Sequence, residues 1–251
     1  MLKVRVMPCL LLLNESLVKT IKFNKRTYIG DAINTVRIFN EMEVDELILL
    51  DITATIENRK PNFQLLKDIA SECFMPVCYG GGVRDTDDIK HIFSIGIEKV
   101  SINSFAFESP DFIAKAADRF GSQSIIVSMD VKRNLFGKYE VVQQSGTKRT
   151  KYHPVDYAEL MEKYGAGEIL LNCVDKDGTW EGYDVELVKQ VSSAVAIPVI
   201  VCGGAATTND FKKAVMAGAS AVAAGSMFVF QAKGMGVLVN FPDRKLLETL
   251  F

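Results

Sequence analysis

Two glycine-rich clusters in this 251-residue chain have the makings of phosphate cradles. Gly80-Gly81-Gly82 is followed by Asn103-Ser104, and Gly203-Gly204 is followed by Gly225-Ser226. Glycine lets backbone N–H groups come close to an anion, and a serine hydroxyl or a helix N-terminus completes the cradle. One triple glycine is equally well explained by a turn. Repetition of the cluster favours the functional reading, and a facing pair of cradles fits a small molecule phosphorylated at both ends. Gly225 would let backbone and ligand approach closely. Asp51, closing LILLD, and Asp177, in DKDG with Gly178, read as binding or orienting groups.

The elements that position these residues follow from an internal repeat. The stretch from Asp45 to Phe107 aligns with the one from Gly167 to Val229, pairing Glu46 with Glu168, Gly81 with Gly203, Gly96 with Gly218 and Ser104 with Ser226, each 122 residues apart. Within each half, short β-rich runs such as Leu47 to Leu50 and Pro198 to Val201 alternate with helix-period stretches such as Asp85 to Ser94 and Asn209 to Ala217. That alternation signals βαβ units, four per half, and predicts a single (β/α)8 barrel over residues 1–251 with half-barrels of about 1–122 and 123–251. An open doubly wound sheet is the alternative, and the twofold repeat argues against it. Two segments break the rhythm: an inserted hairpin is expected over about 134–152, and the long polar run from Asn14 to Gly30 reads as a mobile lid.

Composition narrows the function classes. A 48% hydrophobic, 24% charged chain of net charge -2 is an ordinary globular protein without the basic excess of a nucleic-acid binder, so no nucleic-acid or membrane partner is expected. Cys9, Cys73, Cys78, Cys173 and Cys202 are scattered and form no CxxC pair, which predicts neither a metal site nor a disulfide framework and fits a reducing cytoplasm. Cys9, Cys78 and Cys202 read as small buried hydrophobes. No cofactor is expected. Near the N-terminus, Lys3 and Arg5 precede an apolar run from Val6 to Leu13, but Pro8 interrupts it and no small-residue cleavage site follows, so a buried strand is the better reading than a signal peptide.

The strings VMPCL, DELILLDITA, GGGVRD, EKVSIN, DRFGSQ, GAGEILL, DKDGT, GYD and IPVIVCGGA stand in an order and spacing that resembles the cyclase subunit of imidazole glycerol phosphate synthase, the HisF family, up to Phe230. The resemblance implies a class I glutaminase partner, HisH-like, at the amino face of the barrel. Its ammonia would cross the barrel, cleave a bisphosphorylated ribonucleotide at the carboxyl face and close an imidazole ring between two aspartates. One aspartate matches Asp130; the other position holds Leu11. Leucine cannot exchange a proton, and losing one role of an acid/base pair costs about 10²–10⁴-fold. The resemblance also makes Lys19 a loop lysine able to clamp an anion. It makes Arg5, Glu46, Lys99 and Glu168 a ring of alternating charges at the amino ends of the strands. Strand parity turns Arg5, Lys99 and Glu168 inward. They could gate ammonia or merely close the barrel bottom, and the cost of burying charge favours the gate.

Further departures, Asn172, Cys202 and Tyr79, suggest a reshaped mouth. The glycines of the C-terminal segment, with Phe241-Pro242, delay a last helix until about Asp243. An intact ammonia end with an altered cyclising end resembles the acetamidino modification paralogues of bacterial surface-polysaccharide (lipopolysaccharide) pathways, as does NESLVKTIKF. In those systems the barrel is thought to supply ammonia to a sugar amidotransferase. Two alternatives stand beside this reading: a true cyclase of histidine biosynthesis, a lyase in which another carboxylate compensates for Leu11, and a noncatalytic barrel that only activates its glutaminase.

Overall fold

The computed structural model describes residues 4–251, so Lys3 lies outside the described residues. Among the described residues twelve strands form: β1 (Arg5–Leu13), β2 (Ser16–Ile21), β3 (Lys25–Asp31), β4 (Leu47–Asp51), β5 (Val77–Gly80), β6 (Lys99–Ile102), β7 (Ile125–Arg133), β8 (Tyr139–Gln143), β9 (Lys148–Arg149), β10 (Glu168–Cys173), β11 (Val199–Cys202) and β12 (Ala221–Ala224). Eight of them, β1, β4, β5, β6, β7, β10, β11 and β12, pair in parallel around a closed ring. The fold is a (β/α)8 barrel. The other four strands are antiparallel extensions at the carboxyl ends of β1 and β7.

Two apolar cores follow from the period-2 alternation of side chains along each strand. Met7, Cys9, Leu11, Ile48, Cys78, Ile126, Leu170, Ile200 and Cys202 fill the barrel interior. Their outward neighbours, among them Val6, Leu10, Leu49, Tyr79 and Val201, pack under the helices. Tyr79 therefore points away from the mouth, and its reading as a mouth residue is corrected: on β5 the inward position belongs to Cys78.

The helices return the chain from the carboxyl to the amino face. Helix Thr86–Ile95 starts where the Asp85 side chain accepts from the backbone N–H groups of Asp87 and Asp88 at 3.0 and 2.7 Å, and stops at Gly96 in the left-handed region, φ 108. Its Ile89 and Ile92 are fully buried. Removing the Asp85 cap would cost about 1 kcal/mol. The repeat-related helix Thr208–Met216 uses a different device for the same end: Asp210 accepts from the N–H groups of Ala206 and Thr207 at 3.1 and 3.0 Å. The C-terminal helix spans Arg244–Leu250, capped by Asp243.

Residues 14–30, read from sequence as a polar lid, are organised as strands. Leu11 pairs with Val18 and Leu13 with Ser16, so β2 folds back along β1 and β3 follows antiparallel. The tip of this hairpin reaches the loop after β10, where the Lys22 N–H donates to the Asp177 carbonyl at 2.9 Å. Opposite, β7 runs beyond the barrel into β8 and β9.

Candidate functional site

Tyr79 apart, the residues expected at the mouth line one cavity at the carboxyl ends of the strands: Lys19, Asp51, Gly81, Gly82, Asn103, Ser104, Asp130, Asn172, Asp177, Gly178, Gly203, Gly204, Gly225 and Ser226. The two glycine-serine clusters sit on opposite sides, one after β5 and β6, the other after β11 and β12. Close packing explains the glycines: a Cβ at Gly81 would meet the Asp51 carbonyl oxygen at 2.5 Å, and one at Gly204 would strike the Gly182 carbonyl.

Asp130 occupies the centre of the floor, fully inside the protein. Asn103 Nδ2 donates to its Oδ2 at 3.0 Å and Asn172 Nδ2 to its Oδ1 at 3.4 Å. Burial pushes its pKa up to about 7, outweighing the two amide donors, and the nearby Asp177 adds to the rise. A carboxyl poised there can give or take a proton near neutrality. Leu11 faces the same space beside Cys9, Val18 and Cys202, so this side of the floor is apolar. A hydrogen bond with Cys9, together with burial, holds the Cys202 thiol well above its usual pKa, so it stays protonated.

Asp51 and Asp177 are already engaged. Asp51 accepts from the N–H groups of Thr53 and Ala54 at 3.0 Å each, and Arg59 approaches its two oxygens at 3.1 and 3.3 Å. Asp177 accepts from Lys19 Nζ at 2.5 Å, Thr20 Oγ1 at 2.6 Å and the Phe23 N–H at 3.3 Å. Lys19 is thus held by a carboxylate. Its stem fills the space above Gly225, where a Cβ would lie 2.7 Å from Lys19 Cε. Where Gly225 was expected to let a ligand approach, the lysine stem lies in this arrangement. Gly178 fits against the Thr20 carbonyl, pinning the same hairpin.

At the amino end, Arg5, Glu46, Lys99 and Glu168 form a closed ring. Arg5 reaches Glu46 at 2.5 Å and Glu168 at 2.6 Å; Lys99 reaches Glu46 at 3.1 Å and Glu168 at 2.7 Å. Glu46 turns inward too, through its parity with Ile48. Burial lowers the pKa of Arg5, but the two carboxylates outweigh it and keep the guanidinium charged. Between ring and mouth the interior is apolar except for the buried hydroxyls of Ser101 and Ser128. Among the described residues no cluster of three metal-ligating side chains occurs, and no helix is long and apolar enough to cross a membrane.

Sequence reasoning missed the joining of Lys19 to Asp177 and the role of Asn103 and Asn172 as donors to Asp130. The second was readable, since Asn172 is in register with Asp130 on neighbouring strands. Trp180, the single tryptophan, also lines the mouth with a left-handed backbone, φ 63. No sequence signal marked it.

A family model described as histidine biosynthesis protein matches residues 5–233. A Pseudomonas aeruginosa protein, provisionally named imidazole glycerol phosphate synthase subunit hisF2, is 47% identical over 99% of both chains. A Leptospira interrogans protein, provisionally named subunit HisF of the same synthase, is 44% identical over the full length of both. The imidazole glycerol phosphate synthase subunit HisF of Alkaliphilus metalliredigens is 42% identical over 91% of both chains. With the closed barrel and the duplicated glycine clusters at its mouth, these matches place the chain in the HisF family of histidine biosynthesis proteins.

Proposed function

We propose that this chain is the ammonia-conducting synthase subunit of a glutamine-dependent complex. A HisH-like class I glutaminase docks on the amino face, releases ammonia beneath the charge ring, and the barrel delivers it to the mouth. The observation that carries this reading is the ring itself, a neutral closure of four charged side chains set directly under an apolar interior. Neutral ammonia crosses such an interior, whereas ammonium would have to shed its hydration at a cost of several kcal/mol. Each glutamate is shared by two cations, so Lys99 can swing aside while Arg5 still holds both carboxylates.

The acceptor of this ammonia is a sugar amidotransferase that forms an acetamidino group for surface polysaccharide. The apolar floor around Leu11 supports this, because ring closure needs a second proton-transferring group opposite Asp130. Similar proteins in Pseudomonas aeruginosa and Vibrio vulnificus carry the numbered names hisF2 and hisF3, as additional family members would. The cradles at Gly82 and Ser104 and at Gly204 and Ser226 retain a phosphorylated ligand, with Asp130 as the proton-exchanging group.

The subunit names of the relatives favour a second reading, a cyclase of histidine biosynthesis. Growth of a histidine auxotroph lacking its own cyclase subunit separates the two: this chain is expected not to restore growth. Restoration at the rate given by an ordinary family member would establish the cyclase and reject the amidotransferase role. A companion assay measures glutamine hydrolysis by the glutaminase encoded beside this chain. Hydrolysis should rise on complex formation, and a glutaminase indifferent to the barrel would contradict the reading.

A further inference from the structure

The mouth is framed by two hairpins whose outer surfaces have no use within the chain. At the tip between β7 and β8, Leu135 and Phe136 are 93% and 87% exposed. The turn that presents them is firmly built: Asn134 Oδ1 accepts from the N–H groups of Phe136 and Lys138 at 2.9 and 3.1 Å, and the Asn134 N–H donates to the Lys138 carbonyl at 2.8 Å. Two large apolar side chains thus stand in water on a backbone turn that is already fixed, which lowers part of the ordering cost of an anchor. Across the mouth, β3 is an edge strand paired with β2 alone, and Tyr28 on it is 65% exposed.

The two hairpins meet over the mouth: Phe23 at the tip of the first lies beside Gly146 in the β8–β9 turn, at the other end of β8 from Leu135 and Phe136, and Ser145 Oγ of that turn donates to the Ile52 carbonyl after β4 at 3.0 Å. This surface is also basic. Lys25 and Arg26 on one hairpin and Lys138, Lys148 and Lys151 on the other are exposed and form no ion pair among the described residues, although the chain as a whole has a net charge of -2. Unpaired positive charges on both hairpins, with Lys138 and Lys151 beside the protruding apolar pair, call for a partner with an apolar pocket rimmed by carboxylates.

We infer that this double-hairpin surface docks the enzyme that accepts the ammonia, through an acidic, pocketed face of that enzyme. The inference rests on the ammonia-conducting reading above. Ammonia leaving an open mouth at neutral pH becomes ammonium and is lost to solvent, so a seal is needed where the hairpins stand. A basic apolar tip also suits an anionic membrane, but a bilayer pressed on the mouth would cover the exit without offering an acceptor.

The test places the photocrosslinker p-benzoylphenylalanine at position 136 and, separately, at Phe74, which is 88% exposed on the amino side before β5. Cells of the native host are irradiated and the adducts identified by mass spectrometry. Position 74 should capture the glutaminase and position 136 an amidotransferase. Capture of the glutaminase at 74, with only lipid, glutaminase or no adduct at 136, would overturn the docking surface and leave the ammonia reading standing. Failure at 74 would instead strike that reading. In purified components, the double change L135D/F136D should lower nitrogen transfer from glutamine to the captured amidotransferase at least about tenfold while glutamine hydrolysis is unchanged. Unchanged transfer, or wild-type sedimentation with phosphatidylglycerol vesicles that the double change abolishes, would reject the protein partner.

Discussion

Burial raises the Asp130 pKa to about 7, so the folded state holds this proton more tightly than the unfolded chain does. Its contribution to stability is complete below the unfolded pKa, near 4, and is lost as pH rises through about 7. Asp130→Asn removes the buried charge. The variant should therefore gain stability relative to the wild type at pH 8.5, by up to about 4 kcal/mol, and show little gain at pH 4. Denaturant unfolding at the two pH values checks this, and an equal difference at both would contradict a raised pKa. The partner position makes the opposite prediction. Leu11→Asp sets an unpaired carboxylate among Cys9, Val18 and Cys202 and should cost about 1–3 kcal/mol. With Asn172 and Cys202 also altered in the floor, it should yield no appreciable imidazole product from ammonium and the family's ribonucleotide. Full cyclase rates from that single change would show that the floor is otherwise intact.

At the scale of elements, the hairpin β2–β3 is tied to the barrel through Lys19, Thr20, Lys22 and Phe23 on Asp177. The tie needs the space over Gly225. Gly225→Ala places a methyl 2.7 Å from Lys19 Cε and should push the lysine off Asp177. Amide exchange in residues 16–31 should then quicken, with the rest of the barrel unchanged, and identical protection in both proteins would show that Lys19 accommodates the methyl freely. The barrel itself was legible in sequence because alternation of strand and helix periods, and a repeat at constant spacing, are set by local residue pattern. Inward parity likewise placed Arg5, Lys99 and Glu168. Contacts between elements distant in sequence were not legible: the pairing of Lys19 with Asp177 depends on how far β2 folds back along β1. Tyr79 was misplaced because a departure from a family pattern says nothing about which face of the strand carries it. The hairpin at 14–30 was read as loop because its polar residues belong to a ribbon with one solvent face.

The whole molecule is organised along the barrel axis, with a charge ring below, an apolar interior in the middle and a mouth with Asp130 buried in its floor. The axis explains why the ring can be tested apart from the mouth. Lys99→Ala leaves Glu46 and Glu168 each bonded to Arg5, so the loss should lie near the low end of the roughly 3–5 kcal/mol typical of breaking a buried ion pair. Folding and association with the glutaminase should survive. The direct measurement is nitrogen transfer by this variant complex, run in parallel with glutamine and with added ammonium. If the ring gates ammonia, the glutamine-dependent rate falls while the ammonium-dependent rate stays at the wild-type value, because ammonia from solution reaches the acceptor without crossing the ring. Equal loss of both rates, or no change in either, would contradict the gate and leave the ring as a structural closure of the barrel.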